Sequence, residues 1–206
     1  MLELNKIYCM DCLEGLKQIE DKSIDLVLTD PPYFHGADII SASQKDKYDS
    51  SWDKKFDENI IKEIFRVSKN QIIFGAEHLS FMLPRSRGWY VWDKRINDKE
   101  SNDFGDCEMI YTSFNKPARM IRYLWNGFRV QLKEKRYDHP TQKPLIIINK
   151  LIKENSKEGD IICDTFMGSG TTAVACKQLN RKFIGFEINP EYVKIANKRL
   201  AQEVLI

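Results

Sequence analysis

Short apolar runs, most of them bounded by glycine, proline or charged residues, recur along this chain. Residues 23–28, 70–77, 88–93, 107–114, 160–165 and 182–188 each read as a short, largely buried strand. Helical patterns lie between the later ones. Residues 144–156 predict a helix with Pro144 in its first turn, and residues 171–180 predict a second. A third starts after Asn189, which can cap it, with Pro190 at the first helical position and Val193, Ala196, Leu200 and Val204 as one apolar stripe. Apolar strands alternating with helices predict an α/β fold, a mostly parallel central sheet with helices on both faces. Residues 35–58 and 94–106 read as exposed loops, the first long enough for a lid or a binding loop. There is no repeat and no linker, so residues 1–206 are expected to form a single domain.

The composition fits that picture. A chain of 206 residues, 42% apolar and 30% charged, can bury a full core without disulfides or metals. No apolar run reaches bilayer length, and "MLELNKIYCMDC" does not read as a secretory signal. The five cysteines are scattered, and Cys9 and Cys12 find no second pair to complete a metal site. Reduced thiols, a cytoplasmic location and no metal are therefore expected. Phe65, Phe74 and Phe81 read as core. The net charge of +2 is unevenly spread. Residues 114–136 carry Lys116, Arg119, Arg122, Arg129, Lys133, Lys135 and Arg136 against one acid, a local +6 that leaves −4 for the remainder. Tyr123, Trp125 and Phe128 interleave with them, a pattern that predicts a nucleic-acid footprint.

Chemistry concentrates in two motifs. In "DIICDTFMGSGTTAVACKQLNRKFIGFEINP" (160–190) a strand runs into Gly168-Ser169-Gly170 and then into a helix beginning at Thr171, with Ala173 completing a G-x-G-x-x-A pattern. Glu187 closes the next strand, where an acid hydrogen-bonds ribose hydroxyls in nucleotide-binding βαβ units. A nucleoside cofactor is expected. NAD would place its pyrophosphate on the loop. S-adenosylmethionine has no phosphate but carries an ammonium that Asp164 can hold.

The other motif is Asp30-Pro31-Pro32-Tyr33, directly after the strand at 23–28. Asp30 precedes a proline and is held extended. The prolines lack N–H groups, so the turn offers acceptors. A carboxylate and a rigid carbonyl together accept both hydrogens of an exocyclic NH2 on a flat ring, and Tyr33 offers a face to stack on. Such acceptors stabilise the positive charge that grows on a poorly nucleophilic ring amine as it reacts. Both motifs end apolar strands, so both are expected at one cleft.

Here the sequence resembles the DNA amino-methyltransferases of the beta arrangement, in which the catalytic motif precedes the cofactor loop. "DPPY" resembles their catalytic motif, "DTFMGSGTT" their glycine motif and "GFEIN" their ribose motif. "MDCLEGL" (10–16) resembles the acidic motif near the adenosine, and "HPTQKP" (139–144) the motif before the cofactor loop. The Trp52-Asp53 pair inside the first long loop also recurs in such enzymes. The resemblance implies a Rossmann-like methyltransferase fold with circularly permuted motif order. It implies S-adenosylmethionine as cofactor and S-adenosylhomocysteine as product. Asp11, Cys12, Thr141, Lys143, Asp164, Phe166, Gly168, Ser169, Gly170, Thr171 and Glu187 are implied at the cofactor, and Asp30 to Tyr33 at the target base. Asp at position 30 resembles the adenine enzymes more than the cytosine ones, implying N6 methylation of adenine in double- or single-stranded DNA. Cytosine N4, an amine or amide of RNA or protein, and a non-catalytic DNA-binding module are the alternatives. About 114–138 is left as a short target-recognition segment. A homodimer and a prokaryotic or phage-type restriction-modification setting fit the same resemblance.

Overall fold

A computed structural model describes residues 2–32, 57–98, 105–126, 129–130, 134–139 and 141–202; at 126, 129 and 130 only the backbone is described. In chain order the elements are β1 (Lys6–Cys9), α1 (Cys12–Leu16), β2 (Ile24–Thr29), α2 (Glu58–Val67), β3 (Ser68–Ile73), α3 (Ala76–Leu79), β4 (Trp89–Asp93) and β5 (Cys107–Thr112). They continue with β6 (Arg119–Arg122), β7 (Trp125–Asn126), β8 (Arg129–Val130), α4 (Leu145–Asn155), β9 (Ile161–Asp164), α5 (Thr171–Gln178), β10 (Lys182–Glu187) and α6 (Pro190–Gln202).

Eight strands form one sheet in the order β1-β10-β9-β2-β3-β5-β4-β6, and β7 and β8 form a separate ribbon. The pairs from β1 to β3 are parallel; β5 runs antiparallel to both β3 and β4, and β6 joins β4 in parallel. Successive side chains point to opposite faces. Leu26 and Leu28 of β2 pack with Ile147, Leu151, Ala173 and Ala196 of α4, α5 and α6. Val27 between them packs with Leu16, Ile61, Ile64 and Leu79 of α1, α2 and α3. The sheet is therefore covered on both faces, as the apolar runs predict.

Several of the helices start where a side chain supplies a missing acceptor. Asp11 caps α1 through the amides of Leu13 and Glu14, Asp57 caps α2 through Asn59, and Asn189 caps α6 through Glu191. In α2, Ile60, Ile61, Ile64 and Val67 line the buried side. That stripe went unassigned in the sequence because it adjoins the long loop. Pro144 sits one position outside α4, at its cap, and the Leu145 amide donates to the Glu134 carboxylate at 2.8 Å. Strands β1 and β6 also escaped notice, since each buries only one side chain, Ile7 and Ile121. Phe74 is fully buried and Phe65 packs at the edge of the core, but Phe81 is 76% exposed, a correction to its reading as core. No described helix is long and apolar enough to cross a membrane.

One junction positions everything that follows. From β9 the chain crosses through α5 to β10, on one side; from β2 it crosses through α2 to β3, on the other. The two crossover helices lie on opposite faces, which opens a crevice at the carboxyl ends of β9 and β2.

Candidate active site

The two strands at that crevice are tied where they end. The hydroxyls of Thr29 and Thr165, 136 residues apart in sequence, share a buried hydrogen bond of 2.8 Å. Each threonine has an acid beside it, Asp30 after β2 and Asp164 at the end of β9. Both acids line one cleft with Phe74, His139, Lys143 and Phe166.

On the β9 side, Asp164 accepts from the Thr172 hydroxyl at 2.6 Å and from the Phe166 amide at 3.0 Å. Burial, with Asp30's charge adding, pushes its carboxyl up to about 6 despite those bonds. A buried acid of this kind is ready for a cationic partner. Gly168 has φ +51, and a Cβ there would stand 2.7 Å from His139 Nε2, so the left-handed turn and the histidine together require glycine. Its amide donates to Glu187 Oε2 at 2.8 Å, while Glu187 Oε1 accepts from the Asn189 amide at 2.8 Å. Each oxygen of Glu187 keeps a second lone pair. An anionic loop whose first glycine amide already serves a carboxylate suits a ribose and an ammonium. It does not suit a pyrophosphate.

The other implied cofactor residues cluster at the same end of the sheet. Ser169 and Thr171 are buried, Phe166 and Thr141 line the cleft, and Thr171 donates to the Lys143 carbonyl at 3.3 Å. Gly170, in left-handed backbone, opens α5. Asp11 and Cys12 follow β1 one strand further out, where the Met10 amide reaches the Glu187 carbonyl. The Asp11 carboxylate caps α1, and Cys12 is buried among core side chains, its thiol pushed up to about 12 by burial and by Asp11.

On the β2 side, Pro31 is buried and Pro32 half-buried. Tyr33 and the Trp52-Asp53 pair lie outside the described residues. Asp30 Oδ2 is 2.7 Å from Lys143 Nζ, and Oδ1 has no hydrogen-bond partner among the described residues. Lys143 also stands 3.2 Å from Glu108, which in turn pairs with Lys94 at 2.9 Å. His139 packs against Tyr192 at 4.4 Å, and burial together with Lys143's charge pulls its imidazole down to about 4, so it is neutral at pH 7.

A family model described as DNA methylase matches residues 84–198, which include Lys143, the glycine loop and Glu187. The chain belongs to that family. Type II methyltransferase M2.LlaDCHI of Lactococcus lactis subsp. cremoris is 31% identical to it over 236 residues, covering 92% of this chain and 87% of that protein. DNA adenine methyltransferase YhdJ of Escherichia coli (strain K12) is 29% identical, covering 92% and 80%. A DNA modification methylase of Thermus thermophilus, solved with S-adenosyl-L-methionine, shares the fold with a TM-score of 0.65 at 22% identity, covering 97% of this chain and 95% of that one.

In this DNA methylase the basic segment does not make one patch. Lys116 Nζ reaches the Glu154 carbonyl and Asn155 at the carboxyl end of α4, and Arg119 opens β6, both at the end of the sheet away from Asp30. Arg122 lies at the Asp30 end but is paired with Asp93 and Asp98. Lys135 and Arg136 are exposed at the Asp30 end, stacked over Tyr137 and Trp125. Lys133 and the Arg129 side chain lie outside the described residues. Glu108 and Lys94 were not singled out in the sequence. The signal for Glu108 was its register, since it shares the inward side of β5 with Ile110 and Thr112.

Proposed function

We propose that this DNA methylase transfers a methyl group from S-adenosylmethionine to the N6 amine of adenine. One observation carries the reading: two carboxylates, one poised for a cation and one beside a proline carbonyl, meet at the β9–β2 crevice. Asp164 holds the cofactor's ammonium, Glu187 its ribose hydroxyls, and Phe166 packs beside it. Bound there, the cofactor supplies an electrophilic methyl group on a sulfonium and leaves as S-adenosylhomocysteine. Asp30 Oδ1 and the Pro31 carbonyl accept the two amine hydrogens and draw the nitrogen lone pair out of ring conjugation. The positive charge that develops on the nitrogen is met by the Asp30 carboxylate, and one amine proton then leaves to water. Tyr33 stacks on the base. Enzymes that modify a base inside a duplex swing it out of the stack.

Labelled methyl transfer to duplex DNA, single-stranded DNA, RNA and protein, with the product identified by mass spectrometry, tests the reading. N6-methyladenine is expected, and N4-methylcytosine or a labelled protein would overturn it. The same preparations, run in sedimentation, measure whether the enzyme is a homodimer.

The acid at β9 sets a pH dependence. Asp164's carboxyl is raised from an ordinary 3.8 to about 6, so it is protonated in the free enzyme below that pH. Ionised Asp164 is needed for the ammonium, so cofactor affinity is expected to fall below pH 6, by up to about tenfold per pH unit. Calorimetry between pH 5 and 7 reads this directly, and D164N is expected to bind weakly with a flat profile.

For DNA, Lys135 and Arg136 lie at the Asp30 end and Lys116 does not. K135Q is expected to flatten the log–log salt dependence of duplex binding by about 0.9, the value of one phosphate contact, while K116Q leaves it unchanged. A wild-type slope for K135Q would remove Lys135 from the interface.

A further inference from the structure

Asp30 lies in a row of alternating charges. Lys94, Glu108, Lys143 and Asp30 follow one another at 2.9, 3.2 and 2.7 Å. Glu108 is almost fully enclosed, with 3% of its side chain exposed, and Lys143 retains 12%. The Lys143 ammonium also stands 5.3 Å from the centre of the Phe74 ring, and Lys94 stands 5.1 Å from that of Trp92. Lys143 is thus confined between an aromatic floor and two carboxylates. Buried ion pairs are weak contributors to stability, because desolvation offsets most of their attraction. Four largely enclosed charges in a row ending at the target-amine acceptor call for a reason other than stability.

The two carboxylates that share Lys143 are unequal. Burial would raise Glu108, but Lys143 and Lys94 together hold it below the usual carboxylate range. Burial raises Asp30; Lys143 opposes that shift, and Glu108's negative charge adds to it. Asp164, across the crevice, and neutral His139 complete the titratable groups facing the cleft among the described residues. A protonated Asp30 would be a weak acceptor for the amine on the oxygen that carries the proton, and it would bring no charge to the developing cation.

We propose that Lys143 is a positioning residue for methyl transfer, which keeps Asp30 an anion and turns Oδ1 toward the target amine, and that Glu108 regulates how much of its charge Asp30 receives. The inference rests on Asp30 as the amine acceptor. It departs from the family expectation that places Lys143 at the methionine end of the cofactor, because its ammonium points to Asp30.

The test is the pH dependence of single-turnover methyl transfer at saturating cofactor and DNA, with cofactor affinity measured beside it. K143M is expected to move the acid limb up by at least one pH unit, with the lost turnover recovering as the pH is raised. K143R should restore the wild-type limb. E108Q should move it the other way, to lower pH, since it removes a negative charge near Asp30. Cofactor affinity should stay within about threefold in all three. If K143M fails to fold, the opposite shift in E108Q decides. An unmoved limb in E108Q and K143M, or a K143M defect confined to cofactor affinity, overturns the inference. A D30N enzyme with full turnover would overturn the assignment of the amine acceptor itself; an inactive D30N with unmoved limbs in the other variants would overturn only the role of Lys143.

Discussion

Asp30→Ala is expected to lower turnover by roughly 10²–10³ while leaving cofactor affinity nearly unchanged, the loss typical of removing a preorganised partner for transition-state charge. The cofactor groups assigned to Asp164 and Glu187 are untouched by it. The fold should survive, because Lys143 keeps Glu108 as a counter-charge at 3.2 Å and no buried cation is stranded. Single-turnover kinetics beside calorimetry checks both halves. A variant with turnover within a few-fold of wild type would remove Asp30 from the chemistry.

Glu187→Ala is expected to do the reverse, and to do more than delete a ribose contact. Its two oxygens satisfy the amides of Gly168 and Asn189, so the change unties the glycine loop from the start of α6 as well. An unmet buried donor costs about 1–3 kcal/mol. Cofactor dissociation constants should rise about tenfold to a hundredfold, with a lower melting temperature, and much of the rate should return at saturating cofactor. Glu187→Gln should fall between, since the amide nitrogen it introduces cannot accept from a backbone N–H. Wild-type cofactor affinity in the alanine variant would rule out Glu187 as the ribose ligand.

The parts of the site that could be read in the sequence are those where backbone conformation and chemistry demand the same residue. Gly168 must be glycine for its positive φ and for the space against His139, and Pro31 disfavours a helical conformation at Asp30. Strands β2, β3, β9 and β10, buried on both faces, showed as apolar runs for the same reason. Edge strands bury too little to leave such a run, so β1 and β6 were silent. The basic segment misled through a different route. Charge counted along a chain ignores the sheet, and β6 carries Arg119 and Arg122 to opposite ends of it. Glu108 was hidden because its meaning depends on Lys143, 35 positions away and on a different element.

The pairing of β1 with β10 bears on when this enzyme becomes an enzyme. Among the described residues β1, Lys6–Cys9, pairs in the sheet only with β10, from Ile184 to Glu187. At about 5–20 residues per second, a ribosome needs roughly nine to thirty-five seconds to make the intervening chain. Through that time the first strand has no partner, and for most of it Lys143 and Thr165, the neighbours of Asp30 and Thr29, have not been made. The nascent chain therefore cannot act on DNA, and Asp164 and Glu187 join the sheet only after Asp30 has long been made. Contacts this distant in sequence also slow folding. Activity should appear late and abruptly in a synchronised translation, after β10 has left the ribosome, with no partial activity on the way.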